Sequence, residues 1–103
     1  MKMNDYQRQA TGFAVYPAEH KVTYPTLGMC GEAGEVAEKV KKQIRDGVFN
    51  RHETAKEVGD VLWYLANLAN DIGYNLEEIA VMNIEKLTDR KHRDKIKGNG
   101  DNR

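Results

Sequence analysis

Two short strings constrain this chain more than anything else in it. Glu32-Ala33-Gly34-Glu35-Val36-Ala37 returns 25 positions later as Glu57-Val58-Gly59-Asp60-Val61-Leu62. Each writes two carboxylates three residues apart beside an apolar stripe, a period that suits a helix and not a strand. On a helix, like charges at that spacing repel by about 0.2 to 0.5 kcal/mol. A glycine in the helix interior costs about 1 kcal/mol more relative to alanine. A merely solvated face would alternate Glu with Lys, so both costs point to a cation held between the acids, with a backbone or ligand coming close at the glycines.

The rest of the chain reads as helices around these two. Residues 4 to 15 are predicted to form a first helix, and Tyr16 to Tyr24, with Pro17 and His20, a loop. Pro25 suits the first turn of a second helix reaching Asp46, with Gly47 as its stop. Asn50 with Glu53 resembles a capping box opening a third helix that runs to Gly73. Asn75 with Glu78 repeats that signal for a fourth, ending near Lys95. Lys97 to Arg103, with Gly98, Asn99 and Gly100, reads as an extended or mobile tail. The expected fold is all-α, a four-helix bundle-like single domain over residues 1–103 with a short polar tail from 97 to 103.

Helical phase decides where the acids point. Met29, Ala33, Val36, Val40 and Ile44 make one apolar arc, with Glu32 and Glu35 on its edge. Val61, Leu65, Leu68, Ala69 and Ile72 make a second, bordered by Glu57, Asp60, Tyr64 and Asn67. If the arcs pack antiparallel, the acid pairs face each other, whereas Glu38 points further away. In the fourth helix Leu76, Ile79, Ala80, Ile84 and Leu87 define a buried face with Asn83 in its middle and Lys86 and Arg90 beside it. A buried asparagine needs partners. It either bonds a neighbouring backbone or joins Lys86 and Arg90 as a donor set for phosphate oxygens.

Magnesium is the natural ion for four carboxylates, because it prefers oxygen ligands and keeps waters and substrate phosphates in its shell. Zinc is poorly served, since Cys30, His20, His52 and His92 show no ligand spacing. A di-iron bundle would want Glu-x-x-His pairs, and only Asp89-x-x-His92 comes close. The charges balance at sixteen basic and sixteen acidic residues, so no global field points to nucleic acid or a membrane. Between Lys86 and Arg103 seven basic residues are interrupted by three aspartates and lack interleaved aromatics, which reads as a solvated helix end and tail. A single cysteine fits a reducing compartment, and no apolar run reaches membrane-spanning length, so a cytoplasmic location is expected.

These residues together resemble the MazG-like members of the all-α nucleoside triphosphate pyrophosphohydrolases, relatives of dimeric dUTPases and phosphoribosyl-ATP pyrophosphohydrolase. The resemblance covers residues 24 to 103. It is carried by Gly31-Glu32-Ala33-Gly34-Glu35, by Glu57-Val58-Gly59-Asp60-Val61-Leu62-Trp63-Tyr64, by Asn83 with Lys86 and Arg90, and by Gly98-x-Gly100-Asp101-Asn102-Arg103. The tail is similar to that of small, often phage-type members.

The resemblance implies Mg2+-dependent hydrolysis between the α and β phosphates of a nucleoside triphosphate, with deoxynucleotides expected and Mn2+ as a substitute. It implies that Glu32, Glu35, Glu57 and Asp60 bind the metal, that Asn83, Lys86 and Arg90 hold the triphosphate, and that Tyr64 contacts sugar or base. Glu35 is the expected water-orienting carboxylate, with Glu38 a competitor for that catalytic role. Phe13, His20 and Tyr24 join Tyr64 as base-pocket candidates, while Trp63 points elsewhere, toward a subunit contact. Nucleotide-pool housecleaning fits such a protein. A homo-oligomer, dimer or tetramer, is expected because relatives share sites between subunits and a small chain gains by sharing helices. The alternative is a non-enzymatic helical module whose acidic face docks a partner.

Overall fold

The computed structural model describes residues 1–93 and 98–101. Among them the chain is all-helical: α1 (Met3–Thr11), a 3-10 turn (Ala18–His20), α2 (Thr23–Asp46), α3 (Arg51–Asp71) and α4 (Leu76–His92). The expected end of the fourth helix near Lys95 lies outside the described residues, as do positions 97, 102 and 103 of the expected tail.

The helix ends follow local chemistry. Gly47 sits in the left-handed region at φ 74° and returns its N–H to Gln43 O at 2.8 Å, closing α2. Asn50 then accepts from the Glu53 N–H at 3.0 Å and opens α3. At Asn75 the box is complete: its side chain accepts from the Glu78 N–H at 2.8 Å, and its own N–H donates to Glu78 Oε1 at 2.9 Å.

The first helix stops at Thr11, short of the expected 15. Phe13 is 74% exposed and Val15 93% exposed, so another turn would bury nothing. α3 ends at Asp71, and Gly73 serves the turn beyond it with φ 85°. Pro25 occupies the first turn of α2, where a missing N–H leaves no helical bond unmade, and it is fully buried.

The segment from Gly47 to Asn50 folds α2 back along α3 as an antiparallel hairpin, and α1 packs across α3 and the start of α4. Polar pins fix α1. Gln7 Nε2 donates to Tyr74 O at 3.0 Å and to Ala66 O at 3.3 Å, while its Oε1 accepts from the Leu76 N–H at 2.9 Å. Trp63 Nε1 donates to Ala10 O at 3.0 Å. Around these pins the fully buried apolar side chains are small, namely Ala10, Ala66 and Ala69 with Pro25.

The apolar arcs are only partly covered. Met29, Val36, Val61, Leu68, Leu76 and Ile79 are half-buried, whereas Ile44 is 87% exposed and Val40, Leu65, Ile72, Ile84 and Leu87 are also open. Asn83, expected mid-face on α4, is exposed as well. The reason is geometric: α4 touches α3 only sparsely, and α2 has α3 as its main neighbour. The radius of gyration is 16.4 Å, against about 13 Å for a compact chain of this length.

Candidate metal and nucleotide site

The α2–α3 hairpin brings Glu32 opposite Glu57 and Asp60. Carboxylate oxygens of the three lie within 4.8 Å of one another, with Glu32 and Glu57 half-buried and Asp60 exposed. The Glu32 carboxyl is held above its ordinary value by desolvation first, then by the charges of Asp60, Glu57 and Glu35 and a hydrogen bond with Glu57. An all-oxygen set of this kind, with no histidine or thiol in it, suits a hard divalent cation.

Glu35 stands beside this trio and does not join it. It is exposed, and its charge still reaches Glu32. Glu38 turns to Lys41 at 3.0 Å, and that hydrogen bond and charge, aided by Lys42 and Arg45, lower its carboxyl below the ordinary value. Glu35 has Lys39 one turn on, yet no ion pair joins them among the described residues.

A Cβ at Gly34 or Gly59 would meet nothing within 4 Å, so no packed backbone among the described residues approaches either, and the space beside them is open. The crowded glycine is Gly28, where a Cβ would lie 2.2 Å from the Tyr64 ring. The Tyr64 ring thus packs against α2 at Gly28, one turn from Asp60, with Trp63 edge-on at 5.0 Å and Tyr24 at 6.4 Å. Burial, then Tyr24, Glu32 and Asp60, push its hydroxyl up. Tyr6 of α1 also borders the acids, its hydroxyl raised by burial and then by Asp60. Gly28 and Tyr6 were not singled out from the sequence. A glycine inside a helix pattern was the available sign for the first, and Tyr6 is too remote from Asp60 in sequence for any spacing rule.

The basic side chains on α4 form a separate group. Lys86 Nζ reaches Asp101 Oδ1 at 3.1 Å. Arg90, 4% exposed, donates through Nη2 to the Asp101 carbonyl and, at 3.5 Å, to its carboxylate. These contacts hold the carboxyl of Asp101 below the ordinary range, Lys86 contributing most. Residues 98–101 therefore turn back onto α4. Arg90 Nε is buried with no partner among the described residues. Asn83 and Lys86 line a shallow recess with Ile79 and Met82. No hydrogen bond or ion pair among the described residues joins this group to the acids on α2 and α3.

The chain is a member of the MazG nucleotide pyrophosphohydrolase domain family, whose family model matches residues 21–94. It is 43% identical over 114 aligned positions to the Gene 37 protein of Mycobacterium phage L5, the alignment spanning the whole of both chains. No solved structure is a significant match. Membership sets the general activity as nucleotide pyrophosphohydrolysis, a divalent metal fits both the family and the acid cluster, and no helix among the described residues is long and apolar enough to cross a membrane.

Proposed function

We propose that this chain hydrolyses nucleoside triphosphates, chiefly deoxynucleotides, between the α and β phosphates in a magnesium-dependent reaction, releasing a monophosphate and pyrophosphate. The observation that carries this reading is the convergence of Glu32, Glu57 and Asp60 from two helices to within 4.8 Å, a repulsive arrangement that a cation would relieve. When bound there, Mg2+ would supply charge neutralisation for the phosphoryl oxygens and acidity to a nearby water. Manganese would serve in its place.

The division of labour among side chains follows from their surroundings. Glu32, Glu57 and Asp60 hold the ion, with Glu35 at the margin. Glu35 is the carboxylate we assign to orienting the attacking water, because it is exposed and close enough to the trio to feel its charge. Glu38, already ion-paired with Lys41, is the weaker candidate. Asn83, Lys86 and Arg90 hold the triphosphate, and phosphate displaces the carboxylate of Asp101 from Lys86 and Arg90. Tyr64 contacts the sugar or base.

Among the described residues no hydrogen bond or ion pair joins the acids to the phosphate donors, and we read the complete site as combining α2 and α3 of one copy with α4 of another. The open apolar side chains Ile44, Ile84 and Leu87 give that second copy a surface to cover. The protein is thus read as a homo-oligomer acting on the nucleotide pool of the cytoplasm, over a single domain spanning residues 1–103.

Pyrophosphate release with Mg2+ tests the activity. Asp60→Asn and Glu35→Gln should abolish it while the circular dichroism stays helical. Retained turnover in both would remove the site assignment, and sedimentation as a monomer at micromolar concentration would remove the shared site.

A further inference from the structure

Asp71 is the last residue of α3, where the negative end of the helix makes a carboxylate unfavourable. Its Oδ2 nevertheless accepts two hydrogen bonds from the segment leading into α2, one from the Tyr16 hydroxyl and one from the Val22 backbone N–H, each at 2.9 Å. Val22 has φ 69° and ψ −55°, backbone that a β-branched residue avoids. It is also exposed, so packing does not impose that conformation. The turn is held instead by Asp71 at its N–H and by the Thr23 N–H, which donates to Lys21 O at 2.8 Å.

What the strained turn delivers is an aromatic row. Tyr24, in the first turn of α2, stacks on Tyr16 with ring centres 4.9 Å apart and planes 18° from parallel. Tyr24 faces Tyr64 at 6.4 Å, and Tyr64 lies beside the acids. One carboxylate thus holds Tyr16 itself and the turn at Val22, two residues before Tyr24. Burial, with the hydrogen bond and charge of Asp71, pushes the Tyr16 hydroxyl up to about 12.

We infer that Asp71 is a positioning residue for substrate selection: by holding Tyr16 and Val22 it sets the Tyr16–Tyr24–Tyr64 wall against which the flat face of a nucleobase stacks. Strain of this kind persists where the surroundings over-determine it, and stacking on tyrosine is a base-recognition mode that no phosphate contact replaces. The inference rests on the pyrophosphohydrolase reading above. In it Asp71 acts on KM and on the choice of base, and leaves the acid cage alone.

Steady-state kinetics of the full-length protein across a panel of dNTPs with Mg2+ tests it. Asp71→Ala should raise KM for the best substrate about tenfold, with kcat within about twofold, and should flatten the preference among bases. Tyr16→Phe keeps the ring and loses one bond, so its KM should rise about threefold. Asp71→Asn, whose single Oδ1 can accept both bonds, should stay near the parent. A purely structural role would lower kcat through the active fraction and leave KM unchanged. An unchanged KM in Asp71→Ala, or in Tyr16→Phe should the first variant not fold, overturns the inference while wild-type turnover preserves the reading beneath it. A wild-type protein that hydrolyses no nucleotide overturns both.

Discussion

The α2–α3 hairpin and α4 are built from the same kind of amphipathic sequence and end in opposite conditions. On the hairpin, a short connection and a glycine stop force two helices together, and their edges place three carboxylates within 4.8 Å. On α4, the expected apolar face is largely open, and its cations are occupied by Asp101. A periodic stripe specifies a face and does not by itself specify what covers it. Both connections are four residues long, yet α2 lies along α3 whereas α4 touches α3 only sparsely and leaves its stripe open.

Neutralising the cage should separate the two regions most sharply. Glu57→Gln or Asp60→Asn is expected to cost about a hundredfold or more in pyrophosphate release, the scale of losing one preorganised charge at a reacting centre, with the helical spectrum unchanged. Replacing Lys86 by Ala should instead raise KM about tenfold, as expected for a lost charge-assisted bond to phosphate. If kcat fell in Lys86→Ala as far as in Asp60→Asn, the division between cage and phosphate face would be broken.

Packing within the hairpin gives the next effect. A Cβ at Gly28 would meet the Tyr64 ring at 2.2 Å, so Gly28→Ala should destabilise by about 1–3 kcal/mol in denaturant unfolding. Pairing it with Tyr64→Ala should recover most of that loss, and a simple sum of the two changes would contradict the close approach. At the start of α4 the reciprocal cap makes Asn75→Ala cost about 1 kcal/mol.

The smallest effect is one of pH. Glu32 has its folded value raised above the ordinary 4.5, so between the two values the folded state holds more protons than the unfolded chain. Stability of the metal-free protein should therefore fall as pH rises from about 4.5 through the raised value. Glu32→Gln should remove that slope, and so should added Mg2+, read from thermal unfolding at several pH values.

Much of this architecture was legible because it depends on neighbours in sequence. Asn50, Asn75 and Gly47 mark helix ends through bonds spanning only a few residues, and the phase of Glu32, Glu57 and Asp60 follows from helical geometry. The first helix ends short of its apolar pattern because nothing among the described residues covers Phe13 and Val15. Gly34 and Gly59 drew attention as the glycines of the acid motif, yet the glycine that a neighbour requires is Gly28. Asp71 was invisible for the plainest reason: its partners lie 49 and 55 residues away. No local rule reaches that far.

If the three converging acids are a metal cage serving nucleotide hydrolysis, turnover must need both the ion and the intact carboxylates. Pyrophosphate and monophosphate release from a dNTP panel by wild type and Asp60→Asn, with Mg2+ and with EDTA, measures this. Wild type should release both products only with the metal, and Asp60→Asn almost none. Equal release by both proteins, or release that survives EDTA, would contradict the cage assignment.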